Sequence, residues 1–289
     1  MRRKLGVFAT LLLVALAGTT RAQKLPPLGD GGRRLPGKFV WADLVTDDVP
    51  AAAKFYKGLF GWTFDDYGGY VIVSNEERPL AGMFQKPRPA DPKSKPRWFG
   101  YISVPNVEKA QTAVTKAGGR VLAPMKKFPG RGEQAVFADP EGALFGAVRS
   151  STGDPADFEA DVGDWIWIQM WSRDSLKSAQ FYRSVAGYEI DENTSSTRSN
   201  DYVLISGKYA RGTVLQLPAE RTEAKPTWLL FVRVKNVPET CAKAAELGGK
   251  VVIPPSPELF KNRVAVVTDP TGAAVGLLEW SEDLLKGGK

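Results

Sequence analysis

One architecture is written twice in this chain. The stretch Phe39–Trp62, FVWADLVTDDVPAAAKFYKGLFGW, recurs as Trp165–Tyr188, WIWIQMWSRDSLKSAQFYRSVAGY. Setting Phe55-Tyr56 on Phe181-Tyr182 brings Trp41 onto Trp167, Asp48 onto Asp174 and Gly61 onto Gly187. Each copy predicts an aromatic-rich strand, an Asp that caps a helix, an amphipathic helix carrying Phe-Tyr, and a Gly that closes it in the left-handed conformation. The copies agree further on. Tyr70–Ser74 (YVIVS) returns as Tyr202–Ser206 (YVLIS), and Ala135–Gly142 (AVFADPEG) returns as Ala265–Gly272 (AVVTDPTG). Small changes of offset between these matches place the insertions in loops. The chain is a tandem duplication.

Before the first copy, residues 1–22 have the three parts of a secretory signal. Arg2-Arg3-Lys4 forms a positive start, Leu5–Ala17 an apolar run, and Thr20-Arg-Ala22 a small-x-small cleavage site. The apolar run is short for a bilayer span. A secreted or bacterial periplasmic protein, with no membrane contact after cleavage, is therefore expected. Removing the signal takes four positive charges from the formal +7, and the rest form no basic run, which argues against nucleic acid as a partner. Residues 23–37, rich in Gly and Pro, are expected to be a flexible leader. The first repeat unit runs from 38 to 150, a linker from 151 to 163, the second unit from 164 to 280, and a polar tail from 281 to 289. The lone Cys241 excludes an internal disulfide framework and is expected to be buried and inert.

Within each unit the order strand, helix, three strands occurs twice. In the first unit it reads Phe39–Thr46, helix Val49–Phe60, and strands near Thr63–Asp65, Tyr70–Ser74 and Ala81–Gln85. After a Pro- and Lys-rich loop (86–95) come Trp98–Val104, helix Val107–Ala117, and strands near Val121, Gln134–Ala138 and Leu144–Val148. Asp139-Pro-Glu-Gly142 turns the last two into a hairpin. Paired βαβββ modules, Asp before a helix carrying Phe-Tyr, and Asp-Pro-x-Gly before the last strand resemble the vicinal oxygen chelate superfamily of glyoxalases, bleomycin-resistance proteins and extradiol dioxygenases. The resemblance covers residues 38–280. It implies an α+β fold of two tandem glyoxalase-like domains, each a pair of modules forming a curled mixed sheet around a cleft.

The same resemblance implies a metal in the cleft, held by His, Gln or Glu on the first strand of each module and Glu on the last. Carried over, those positions fall on Trp41, Phe99 and Gly146 in the first unit, and on Trp167, Leu229 and Gly276 in the second. A further position lies near Met83–Gln85 and Thr213–Gln216. Trp, Phe, Leu and Gly offer no donor atom to a divalent metal, and the chain has no histidine. No metal site and no cofactor are expected.

Strand alternation groups the side chains that would line the clefts. Trp41 goes with Asp43 and Val45, and Phe99 with Tyr101 and Ser103. In the second unit Trp167 goes with Gln169 and Trp171, and Leu229 with Phe231 and Arg233. The expected ligand-binding set is Trp41, Asp43, Phe99, Tyr101, Trp167, Gln169, Trp171, Phe231 and Arg233, with Trp41 and Trp167 as stacking walls for a small molecule. Asp43 and Arg233 would make the first cleft prefer neutral or cationic ligands and the second anionic ones. The competing possibility is that these aromatics plug the half-barrels as core. Asp43 is the best candidate for a catalytic base should the protein be a lyase or isomerase of this class. Glu76-Glu77-Arg78 and Pro129–Glu133 are expected to be solvated loops. Neither Asp65-Asp66 nor the Asp-rich 157–164 segment has the spacing of a calcium loop.

Overall fold

A computed structural model describes residues 25–86, 95–192 and 200–281. The expected signal segment, the last residues of the polar tail and the heart of the Pro- and Lys-rich loop lie outside these.

The first half holds β1 (Phe39–Thr46), α1 (Val49–Phe60), β2 (Thr63–Asp66), β3 (Tyr70–Asn75), β4 (Arg78–Gln85), β5 (Arg97–Ser103), α2 (Val107–Lys116), β6 (Arg120–Phe128), β7 (Gly132–Ala138) and β8 (Leu144–Ser150). The second repeats the order: β9 (Trp165–Ser172), α3 (Ser175–Ala186), β10 (Glu189–Glu192), β11 (Tyr202–Ser206), β12 (Tyr209–Gln216), β13 (Thr227–Val234), α4 (Val237–Glu246), β14 (Lys250–Ile253), β15 (Val264–Thr268) and β16 (Ala274–Glu279). Each half makes one open eight-stranded mixed sheet, ordered β2-β3-β4-β1-β5-β8-β7-β6 and β10-β11-β12-β9-β13-β16-β15-β14. Parallel pairs such as β5–β8 and β13–β16 sit beside antiparallel hairpins such as β7–β8 and β15–β16. This is the α+β arrangement that the repeat implies.

Local chemistry explains the elements. Asp48 Oδ1 accepts from the backbone N–H of Ala51, and Asp174 Oδ1 from that of Lys177, so both repeated aspartates are N-caps. Gly61 (φ 78°) and Gly187 (φ 75°) end the same helices left-handed, each returning its N–H to the last turn. Asp139 and Asp269 each accept two backbone N–H groups of their own turn, which builds the hairpins before β8 and β16. The strand expected near Val121 is longer, Arg120–Phe128, because two register shifts against β7 let it bend and continue.

Packing regroups what the sequence duplicates. Among the described residues, one compact unit comprises 25–42, Phe99–Asp157 and Ile168–Trp228, and the other comprises Asp43–Trp98, Phe158–Trp167 and 229–281. Each unit thus joins a module of the first half to a module of the second. In the first unit Tyr182 on α3 donates to Asp139 Oδ2 at 2.9 Å and accepts from Trp228 Nε1 at 2.7 Å. In the second, Tyr56 on α1 accepts from Trp98 Nε1 at 2.7 Å and faces Asp269. The repeated Phe-Tyr and Asp-Pro motifs are therefore the two parts of one buried lock, each lock drawing its Tyr and its Asp from different halves.

Residues 25–37, expected to be a flexible leader, are packed in the first unit. Leu25 and Leu28 are buried, Gly31 N–H reaches Thr152 O at 2.6 Å, and Arg33 O accepts from Asp154 N at 3.0 Å. Asp154, in the Gly- and Asp-rich linker, is buried because it also accepts from Leu35 N–H and Ser103 Oγ.

Candidate functional site

The nine expected site residues have different surroundings in the two halves. On β1, Trp41 and Asp43 are sealed, at 5% and 2% exposure. Asp43 Oδ1 accepts from the Tyr70 hydroxyl at 2.7 Å. Gly82 makes this approach possible, since a Cβ there would lie 2.0 Å from the Tyr70 oxygen and 2.5 Å from Asp43 Oδ1. As a candidate base Asp43 is thus a buried acceptor already engaged by a phenol. Trp41 lies under the guanidinium of Arg131, whose Cζ stands 4.0 Å from the ring centroid.

Arg131 was not foreseen. It sits in the Pro129–Glu133 stretch expected to be a solvated loop, yet it is 1% exposed. The flanking Gly130 (φ 76°) and Gly132 (φ 114°) supply the left-handed turns that fold it inward. Its Nη1 donates to the Pro26 carbonyl at 3.1 Å. The pair of positive-φ glycines around one arginine was the available signal. The first half's charge expectation rested on Asp43 alone, and the structure adds a cation on the Trp41 ring.

On β5, Phe99 and Tyr101 share a face, their rings 5.4 Å apart, and both are buried. Tyr101 pairs in register with Gly146 on β8, where a Cβ would come 2.1 Å from the Tyr101 ring. Phe231 on β13 does the same to Gly276 on β16, where a Cβ would come 2.3 Å from the ring. At both positions where the resemblance implies a metal-binding Glu, the volume of that side chain is filled by an aromatic ring. Among the described residues no three His, Cys, Asp or Glu side chains gather at metal-binding spacing. The donor set does not fit a metal.

β9 behaves differently. Trp167, Gln169 and Trp171 form one row, all half-buried, while the alternate residues Ile168, Met170 and Ser172 are buried. Trp171 also holds a buried donor: its Nε1–H has no hydrogen-bond partner among the described residues. Arg233 Nη1 is taken by Glu159 Oε1 at 2.8 Å and by the Ala160 carbonyl. It therefore braces the linker, and its pairing with Glu159 offsets the charge that the anionic-ligand expectation rested on.

Buried acids outside these rows serve the locks. Burial pushes the Asp139 carboxyl up to about 6 despite its hydrogen bonds, and burial also raises Asp269. The Tyr182 and Tyr56 phenols are pushed well above their ordinary range by the same desolvation. Cys241 is buried on α4, as expected, and burial raises its thiol.

A sequence model of the Glyoxalase/Bleomycin resistance protein/Dioxygenase superfamily matches residues 38–146 and again 166–277. Among curated proteins, CFP32 of Mycobacterium tuberculosis, named as a glyoxylase, is 29% identical over 245 residues, covering 83% of this chain and 93% of that protein. The anthracycline biosynthesis protein DnrV of Streptomyces peucetius is 28% identical over 266 residues, covering 86% and 96%. Among solved structures, the Mn(II)-bound glyoxalase from Novosphingobium aromaticivorans superposes with a TM-score of 0.56 at 15% identity, over 85% of this chain and 82% of that one. The 2,3-dioxygenase LapB from Pseudomonas sp. KL28 gives 0.57 at 14% identity, over 86% and 94%. At these identities the structural likeness speaks for the fold.

Proposed function

This chain belongs to the Glyoxalase/Bleomycin resistance protein/Dioxygenase superfamily, and from that premise we propose that it is an exported, metal-independent member that binds a small molecule. The observation that carries the reading is the filling of the closing-strand positions: Tyr101 over Gly146 and Phe231 over Gly276 stand where a ligating carboxylate would have to enter. Restoring Glu at either glycine would drive its Cβ into a ring, so the site cannot be rebuilt by one substitution. The aromatic rings give the chain contact area for a planar or apolar ligand.

The working surface is the β9 row. In the first unit Trp171 presents a half-buried ring beside the Gln169 amide, and its buried Nε1–H has no partner among the described residues. A ligand with a carbonyl or ether oxygen would satisfy that donor, which gains more than a contact between groups already paired. Export is supported by the Arg2-Arg3-Lys4 start, the Leu5–Ala17 run and the Thr20-Arg-Ala22 site.

A thermal-shift screen of aromatic carbonyl compounds on the mature protein tests the reading, followed by titration of the best compound. Trp171→Phe removes the donor while keeping a ring and should weaken binding by about tenfold, the scale of one lost hydrogen bond. Elemental analysis should find far less than one zinc, nickel, manganese or iron per chain. Stoichiometric metal, or binding indifferent to Trp171→Phe, would overturn the proposal. N-terminal sequencing of the exported protein should begin near Gln23.

A further inference from the structure

The left-handed turn that folds Arg131 inward is itself duplicated, and its second copy is built from different residues. Setting Ala135–Gly142 on Ala265–Gly272 brings Gly130-Arg131-Gly132 onto Phe260-Lys261-Asn262. In the first copy two glycines take the positive φ. In the second, three consecutive residues with side chains take it, at φ 50°, 55° and 66°. That conformation crowds each Cβ against the following carbonyl, and such backbone persists where the surroundings hold it and function uses it. The turn is held by Leu259 N–H and Asn262 N–H to Ser256 O, Lys261 N–H to Pro257 O, and Arg263 N–H to Phe260 O. It sends its side chains outward: Phe260 is 47% exposed and Lys261 is exposed as well. Phe260 lies beside the half-buried Trp280, the two rings within 4° of parallel and their centroids 6.2 Å apart. All these residues belong to one compact unit.

We propose that Phe260, Lys261 and Trp280 form a surface site for a planar aromatic anion. Parallel rings present one orientation to a flat molecule, so stacking on either does not tilt it away from the other. The turn is preformed, and little ordering is left for the ligand to impose. Charge selects the anion. Lys261 makes no ion pair among the described residues, while the acids nearby are engaged. Glu258 turns back onto its own backbone N–H and Ser256. Glu279 accepts from Val237 N–H at 3.3 Å and stands 3.9 Å from Arg263 Nε. A carboxylate on the ligand ring would therefore meet an ammonium with no local competitor for it.

The test uses the mature chain and two probes, 2-naphthoate and its neutral isostere 2-naphthamide, titrated by calorimetry. Naphthoate should bind about fivefold more tightly, the scale of one exposed ion pair, and Lys261→Gln should erase that preference. Phe260→Ala should weaken both probes by about tenfold, the scale of one lost aromatic stack. Both side chains are exposed, so neither change should unfold the protein, and a melting curve checks this. Asn262→Gly, which suits the left-handed backbone, should bind as the unaltered chain does. Binding indifferent to Phe260→Ala overturns the proposal, as does a preference that survives Lys261→Gln. Two other occupants would also overturn it. Binding seen only in a chain ended after Ser281 would mean that the tail fills the pair, and a dimer dissolved by Phe260→Ala would mean that a second copy does. Repeating the titrations on Trp171→Phe separates this site from the β9 row: naphthoate affinity should be unchanged there, and its loss would place the probe on β9 instead. Either idea can thus fail alone.

Discussion

β1 and β9 hold the same place in two copies of one module, yet their outward fates differ. In β1 the positions of Trp41, Asp43 and Val45 are all buried, with a guanidinium on the Trp and a phenol on the Asp. In β9 the matching Trp167, Gln169 and Trp171 are all half-exposed, and one indole N–H is unused. The strands obey the same alternation. What differs is what lies over them: in the first copy Gly130 and Gly132 turn Arg131 onto Trp41. A duplicated strand keeps its face long after the copies have diverged in what covers that face. The copy under Arg131 then packs as core, while the row on β9 keeps part of its surface exposed.

The comparison breaks most visibly at the tryptophans. Trp41→Ala should cost about 3–5 kcal/mol, as for other buried aromatics, read as a lower midpoint in urea with an unchanged slope. If Trp41→Ala proves no worse than the same change in β9, the contrast between covered and uncovered copies is wrong.

Next in size is a pH effect. The Asp139 carboxyl titrates near 6 in the folded protein against 3.8 as its ordinary value, so the folded state holds its proton more tightly than the unfolded chain. Its contribution to stability is then greatest below about pH 4 and is lost as pH rises through about 6, on the order of 3 kcal/mol in all. Asp139→Asn should flatten that part of the stability curve. An undiminished slope in Asp139→Asn would place the titrating group elsewhere, Asp269 being the next candidate.

The locks supply a third contrast. Tyr182→Phe removes the donor to Asp139 and the acceptor of Trp228 Nε1, and should cost about 2 kcal/mol. Tyr56→Phe should cost about half that, because its hydroxyl meets Asp269 more loosely than the 2.9 Å bond from Tyr182 to Asp139. Equal losses would mean that the two locks are equivalent. Smallest of all should be Trp171→Ala, under about 1 kcal/mol in stability for a half-exposed side chain, with its effect concentrated in ligand affinity.

Much of the fold was legible because the duplicated motifs are local. Asp48 and Asp174 cap, Gly61 and Gly187 close, and the Asp-Pro-x-Gly turns make hairpins, each within a few residues of chain. Helix α1 and strand β1 have the predicted bounds for that reason. The second role of the same motifs was not legible. That Tyr182 meets Asp139 depends on which module packs against which, and nothing within either motif encodes its distant partner. The site was half legible for a related reason. Alternation put Phe99 with Tyr101, and Trp167 with Gln169 and Trp171, but burial is decided by whatever segment lies across the face. Arg131 looked like a solvated loop because its neighbours are glycines; those glycines are what turn it inward.

The exchanged locks bear on how the chain can be cut. Each compact unit takes chain from both sides of the segment 151–163, and each buried Tyr meets an Asp encoded on the far side of it. Either half made alone would carry one Tyr and one Asp, each belonging to a different lock. A protease nick inside 158–163 should therefore leave two fragments that stay associated through dilution and a sizing column. The two halves synthesised as separate chains should be sticky and poorly folded singly, and should recover a cooperative melt on mixing. The repeat is a unit of inheritance, whereas the unit of folding is assembled from one module of each copy.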